Sequence, residues 1–429
     1  MKKIVSVLLL ICMLLGVFSM TACNKTEAKG GVYQVPEGGY DGSKVTITFY
    51  HTMGQGLREV LDQYVVEFNK LYPDITIDHK QVGSYDDVKE KISTEITVGN
   101  QPNIAYCYPD HVALYNLAGA VTTLDGLMYT LPMSKSTEVL YYNKTFFEEN
   151  NLQVPTTWDE MEAVCQKIKE LEPTCIPLGY DSEANWFITM CEQYGSDYTS
   201  LDKNAHFKFD NETNHGFVKM FREWHQKGWV TTEEIYGSYT SGLFTATEGQ
   251  KCYMVIGSTG GASYQQPPQV DGKALFETAM ATPPQVNPDA PKVISQGPSL
   301  CIFKDTNPQE VVASWLFVKF LTTNVEFQAS FSMTSGYAPV IKSVQSNPVY
   351  QQWLDAANGY TNLTAMSVKL ALAQSDAYFV SPAFNGSSEA RDQVGTLMQD
   401  ALVSTDADID ATLKKLFEKA VAECEYAAD

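Results

Sequence analysis

The sequence predicts an α/β protein built as two lobes. Three observations carry that reading. At 429 residues the chain exceeds what one small core organises. Strand-type and helix-type segments alternate from 44 to 108 at the spacing of βαβ units on a largely parallel sheet. A second strand–helix series then begins at Val139-Leu140-Tyr141-Tyr142, a β-branched and aromatic run with the composition of a buried strand.

The first strand is 44–50, where Val45, Ile47 and Phe49 alternate with polar neighbours. Leu57, Val60, Leu61, Tyr64, Val65, Phe68 and Leu71 then fall at helical spacing, and Pro73 closes that helix. A strand at 75–77, a helix at 85–97 and a strand at 103–108 follow. Ligands gather at the carboxyl ends of strands in such sheets, which directs attention to 51–54 and 108–111. In the second series, Asn143 interrupts the strand, 144–151 is helix-compatible, and Thr157 ahead of Asp159 and Glu160 reads as the cap of another helix. Further helices are expected at 161–171, 216–227, 308–321, 388–403 and 409–426. Strands are expected at 252–256 and 299–303, a turn at 335–340, and proline-rich breaks at 265–270 and 282–291.

The amino terminus reads as an export signal. Lys2-Lys3 precedes an apolar run at 4–18, which is too short and too early for a spanning helix. Ser19-Met20-Thr21-Ala22-Cys23 resembles a bacterial lipobox, so 1–23 is expected to be a lipoprotein signal with Cys23 the lipidated residue. An ordinary signal peptide is the alternative. Residues 24–43 lack apolar periodicity and suit a flexible tether. The mature chain is then expected on the outer face of the cytoplasmic membrane, held by its lipid. The net charge of −21 repels nucleic acid and anionic membrane surfaces, so a nucleic-acid partner is disfavoured. Of nine cysteines, Cys12 and Cys23 fall in the export segment. Among the other seven, Cys165, Cys175 and Cys191 could supply one disulfide, and buried thiols account for the rest.

Catalytic signatures are missing. There is no GxSxG, HExxH or P-loop, and Gly257–Gly261 lacks the lysine a P-loop needs. The six histidines show no metal-ligand spacing, and His51 reads as a hydrogen-bonded histidine at a strand end. No cofactor, no metal and no enzyme activity are expected. Aromatic residues make up 12% of the chain, and tyrosine and tryptophan offer flat apolar faces with polar edges suited to sugars and polyols.

With those segments in place, the chain resembles the extracellular solute-binding proteins of carbohydrate-type ABC importers. The resemblance runs from Val45 to the C-terminal helices. It rests on Leu140-Tyr141-Tyr142-Asn143-Lys144, the Phe146-Phe147 pair, Pro155 and Thr157-Trp158-Asp159-Glu160, and on Ser335-Gly336-Tyr337-Ala338-Pro339-Val340. Within that group Phe49-Tyr50-His51-Thr52-Met53, Phe68-Asn69, Gly83-Ser84-Tyr85 and Gly99-Asn100-Gln101-Pro102 resemble the sn-glycerol-3-phosphate-binding proteins.

The resemblance implies a two-lobed periplasmic-binding-protein-like fold with hinge-crossing segments near 131–139, 292–296 and 336–340. Lobe 1 would be 44–131 plus 292–336, and lobe 2 would be 132–291 plus 337–429. It also implies ligand contacts at Tyr85, Ser136, Gly261, Gly297, Tyr337 and Arg391, with Asp110 as an acidic contact and Trp186 kept from a tryptophan-rich turn. That turn reads Asp181-Ser182-Glu183-Ala184-Asn185-Trp186 here, with an acidic residue added. The run 124–131 is also shorter than the family usually spends there. Arg391 would offer a phosphate a planar fork, and the 258–261 turn would offer backbone N–H groups. Beside Glu389 and Asp392, Arg391 could equally form a surface ion pair. The implied function is capture of a glycerol-3-phosphate-like polyol phosphate or a sugar by a monomer that delivers it to ABC permease subunits. An oligosaccharide-binding protein, a secreted hydrolase and a sensor lipoprotein are the alternatives.

Overall fold

The structure, a computed structural model, describes residues 39–122, 130–202 and 204–428. The export segment with Cys23, residues 24–38 of the tether and most of the short 124–131 run lie outside the described residues.

Two sheets, each with its own hydrophobic core, organise the chain. In the first sheet the strand order is Ile75–Gln81, Val45–His51, Ile104–Cys107, Ser299–Ile302 and Leu131–Pro132. The first three are parallel, and Ser299–Ile302 runs antiparallel to its neighbours. The alternation read at 44–50 arises because Val45, Ile47 and Phe49 point into one core with Phe68, Ile104 and Phe317. The helices Gln55–Leu71 and Tyr85–Val98 connect these strands, the second started by a capping box between Ser84 and Asp87. Pro109–Leu117 is a helix that the apolar spacing did not announce, begun by a proline at its first position, where a missing N–H costs nothing.

The second sheet is centred on Ser136–Asn143, whose first six residues are all buried. Met254–Ser258 and Thr278–Ala281 pair with it antiparallel, and Leu178–Tyr180 and Val230–Thr232 extend the sheet beyond Met254–Ser258. Asn143 ends the strand by accepting the Phe146 N–H, which caps Lys144–Glu149. Thr157 and Glu160 form the expected capping box of Trp158–Leu171. Helices Glu183–Tyr194, Glu212–Gln226, Ser387–Val403 and Ile409–Ala428 cover this sheet.

Three segments pass between the sheets side by side. The Met133 N–H donates to the Pro298 carbonyl at 3.0 Å, and Lys135 and Ala338 exchange two backbone bonds of 3.0 and 2.7 Å. The second crossing differs from expectation. Ser295 and Gln296 pair with Thr137 and Ser136, so Val293–Gln296 is a strand of the second sheet and the chain crosses at Gly297-Pro298 instead. Gly297 has φ +108°, and a Cβ there would lie 2.5 Å from the Ser134 carbonyl oxygen. Cys107, Cys165, Cys175, Cys191, Cys252, Cys301 and Cys424 are buried free thiols, so the disulfide considered among Cys165, Cys175 and Cys191 does not form.

Candidate functional site

A cavity of about 620 Å³ opens between the sheets, where their strands end. Thr52, Tyr85 and Tyr108 reach it from the first sheet, each just beyond a strand or at the start of the following helix. From the second come Ser136 and Glu138 on the central strand, Asp181 after Leu178–Tyr180, and Glu233 after Val230–Thr232. Tyr337 enters from the third crossing and Arg391 from the helix Ser387–Val403. Convergence at strand ends follows from the pleat, which buries side chains along a strand and frees the chain only where pairing stops.

Five tyrosines line the cavity: Tyr85, Tyr108, Tyr239, Tyr264 and Tyr337. The Tyr85 and Tyr108 rings pack 4.6 Å apart, and Tyr85 also stacks on Tyr106. Burial, above all, raises the phenols of Tyr85 and Tyr337, so both are neutral donors. Gly260 is a spacer for Tyr337, because a Cβ there would lie 2.6 Å from the ring's Cζ.

Behind Tyr85 and Tyr108 is a polar chain anchored by Arg391. Its guanidinium donates to Asn185 Oδ1, which also accepts from Gln296 Nε2 at 2.6 Å. Asn185 in turn bonds Glu138. Glu138 is 2% exposed and its Oε2 accepts the Tyr180 hydroxyl at 2.8 Å. Burial pushes its carboxyl up to about 7, opposed by the Tyr180 and Asn185 bonds and by the Arg391 charge. Asp392, the neighbour expected to compete for Arg391, is held by Lys89 at 2.9 Å instead. No carboxylate pairs with Arg391 among the described residues, so this arginine is a cavity group and not a surface ion pair.

Asp181 Oδ1 accepts from both the N–H and the hydroxyl of Thr240, at 2.8 and 2.6 Å. Burial still raises its carboxyl above the ordinary range. Glu233 is pushed up to about 8, first by burial and then by the charges of Asp181, Glu234 and Glu183.

The eight residues expected to touch ligand divide into three sets. Tyr85, Ser136, Gly261, Tyr337 and Arg391 share the large cavity. Asp110 and Gly297 instead line an adjoining cavity of about 100 Å³, together with Lys135 and Arg391. Trp186 reaches neither. It is 0% exposed, stacked on Tyr180 at 4.7 Å and packed on Phe221 at 4.1 Å, because its place on Glu183–Tyr194 points it into the second core. It supports Tyr180, which holds Glu138.

The expected set of free N–H groups at 258–261 is also smaller, since Ser258 Oγ accepts the Gly260 N–H at 3.1 Å. His51 is a buried, bonded histidine as read. Its Nδ1 accepts from the Met53 N–H at 3.1 Å and its Nε2 meets His79 Nδ1 at 2.9 Å. Sequence reasoning passed over Glu138, Tyr239 and Tyr264, and it read the adjacent Glu233-Glu234 pair as solvated charge, whereas Glu233 is half-buried in the cavity wall. The signal available was the place of Glu233 directly after a strand and of Tyr239 and Tyr264 in turns rich in glycine and serine, whereas Glu138 lies inside a strand and gave none.

Comparison with known proteins follows the same lines. Residues 112–358 match a family model described as "Bacterial extracellular solute-binding protein". The "Multiple sugar-binding protein" of Streptococcus mutans is 25% identical over 222 residues, covering 46% of this chain and 49%, about half, of that relative. The "sn-glycerol-3-phosphate-binding periplasmic protein UgpB" of Escherichia coli K12 is 24% identical over 344 residues, 70% of this chain and 75% of that protein. The crystal structure of UgpB from Mycobacterium tuberculosis in complex with glycerophosphocholine superposes with a TM-score of 0.73 at 18% identity, covering 89% of this chain and 99% of that one. With more than half its length matched by that model, and with two α/β lobes facing a shared cavity, the chain belongs to the bacterial extracellular solute-binding proteins.

Proposed function

We propose that this protein captures a sugar or polyol between its lobes and delivers it to the permease subunits of an ABC importer. The observation that carries the reading is the 620 Å³ cavity, lined from both sheets by tyrosine faces and hydrogen-bonding side chains. Lobe 1 is taken as 44–131 with 292–336 and lobe 2 as 132–291 with 337–429, except that Val293–Gln296 pairs into the second sheet. Ligand would draw the lobes together about the three crossings, and the closed form would be what the permease recognises. Members of the family are substrate-binding proteins, and no bond is broken in this scheme. Removal of the signal segment, lipidation of Cys23 and a leash at 24–43 would hold a monomer at the outer face of the cytoplasmic membrane. Among the described residues no helix is long and apolar enough to cross a membrane.

Two ligand readings have support. Three carboxylates and five tyrosines in the wall favour a hydroxyl-rich sugar or oligosaccharide, whose hydroxyls donate to the acids. Arg391, free of any carboxylate partner, favours a glycerol-3-phosphate-like polyol phosphate. Small-angle scattering with and without saturating maltotriose or sn-glycerol-3-phosphate tests capture, since closure reduces the radius of gyration. No change with any sugar, polyol or polyol phosphate, or turnover of one of them, would remove the transport reading. Arg391→Ala separates the ligands. A phosphate would lose about 2–5 kcal/mol of binding when its buried counter-charge goes, and a neutral sugar much less.

A further inference from the structure

The charge in the cavity wall is one-sided. Glu138, Asp181 and Glu233 face it against Arg391, the one basic side chain among its described lining residues. Arg391 is not spread evenly over the three acids. It is tied to Asn185, which also bonds Gln296 and Glu138, so its charge lies at the Glu138 end of the wall. Among the described residues no cation pairs with Asp181 or Glu233. Both depend on the same turn region, with Thr240 binding Asp181 and Glu233 opening the short helix Glu233–Tyr236.

Glu233 is half-buried, yet its carboxylate makes no hydrogen bond or ion pair among the described residues. Gln265, 2% exposed in the same wall, keeps its Oε1 without a partner. The unused capacity of this wall is therefore acceptor capacity. Tyr239 and Tyr264, 63% and 72% exposed, stand at the same end, and Tyr239 feels the charges of both Glu233 and Asp181. Gly257 clears the space, because a Cβ there would lie 2.8 Å from Asp181 Oδ2.

Burial raises both carboxyls, and at Glu233 the Asp181 charge adds to it, so the pair ionises reluctantly with no counter-ion beside it. A cation between them would remove that resistance. Among the described residues no three His, Cys, Asp or Glu side chains are grouped to hold a metal, so the cation indicated is organic. A protonated amine would gain charge-assisted bonds to the carboxylates, a quaternary ammonium their Coulomb attraction, and either one attraction to tyrosine faces. A neutral hydroxyl gains only the ordinary bond.

We propose that the captured solute carries a positively charged nitrogen on a sugar or polyol frame, received by Asp181 and Glu233 beside Tyr239. This rests on the reading of the cavity as the solute site. Two sources share the chemistry: an amino sugar, and a polyol phosphodiester with an alkylammonium group. Titration calorimetry of the purified protein at pH 7 would compare two matched pairs. One is the glucosamine trisaccharide against its fully N-acetylated form, and the other is glycerophosphocholine against sn-glycerol-3-phosphate.

The expected result is that the cationic member of at least one pair binds tenfold or more tighter than its partner. Asp181→Asn and Glu233→Gln would each reduce that ratio at least fivefold. Glu233→Gln breaks no bond within the protein, so it remains informative even if Asp181→Asn, which weakens the two Thr240 bonds to Oδ1, folds poorly. Preference for the amine alone identifies an amino sugar, and preference for the choline ester alone identifies the phosphodiester. Equal or weaker binding of the cationic member in both pairs, or a ratio unchanged in Glu233→Gln, overturns the proposal. Closure on maltotriose together with that result leaves solute capture standing, whereas the absence of binding by these probes and maltotriose overturns both.

Discussion

Replacing Glu138 with Gln should make the protein more stable in mild alkali while changing little in acid. Glu138 sits on the central strand, 2% exposed, with its carboxyl raised from the ordinary 4.5 to about 7 chiefly by burial. The folded state thus holds this proton more tightly than the unfolded chain does. The stability it confers is complete below about pH 4.5 and is lost as pH climbs through about 7. The gap between 4.5 and about 7, at ~1.4 kcal/mol for each tenfold in proton affinity, comes to about 3 kcal/mol. A glutamine avoids that loss, and its side-chain oxygen still accepts the Tyr180 hydroxyl. With an unfolding entropy of ~2 cal/mol/K per residue, about 3 kcal/mol corresponds to roughly 4 °C for a chain of this length. The assay is calorimetric Tm for both proteins at pH 5, 6, 7 and 8.5. The difference in Tm should be near zero at pH 5 and favour Glu138→Gln by about 4 °C at pH 8.5. A difference that stays flat with pH, or that favours the parent at pH 8.5, would refute the argument that burial dominates at this carboxyl.

Two glycine predictions follow from the crossings and the cavity. Gly297→Ala should cost at least ~2 kcal/mol in urea unfolding, since φ +108° and a Cβ 2.5 Å from backbone leave nothing flexible to move. Unchanged stability would mean the crossing is looser than drawn. Gly260→Ala should weaken the binding of whichever solute closes the lobes by about tenfold, ~1.4 kcal/mol, because its Cβ displaces the Tyr337 ring. Calorimetry that shows parent-like affinity would remove Tyr337 from the binding wall.

Local patterns made much of the fold readable. The alternation of Val45, Ile47 and Phe49, the helical spacing from Leu57 to Leu71, and the Thr157–Glu160 box each state their structure within a few residues of chain. Helices such as Val325–Ser335 and Leu363–Ala373 did not announce themselves, because their apolar and polar residues are not segregated into a clear stripe. Val293–Gln296 could be read only as a crossing until its partners, Ser136 and Thr137, were known. Pairing is a property of two segments, and one segment does not reveal it.

The site divides in the same way. Tyr85, Ser136, Gly261, Tyr337 and Arg391 were reached through motifs and meet in one cavity, whereas Trp186 was turned inward by its helix. The sequence by itself determined a two-lobed α/β chain and turns that bring tyrosines to strand ends. Those are matters of composition and short-range order. Only the tertiary structure decided that Lys89 takes Asp392 and leaves Arg391 to Asn185, and that Asp181 and Glu233 share a wall without a cation. Electrostatic balance depends on distances between residues far apart in the chain, and those distances exist only once both sheets are packed.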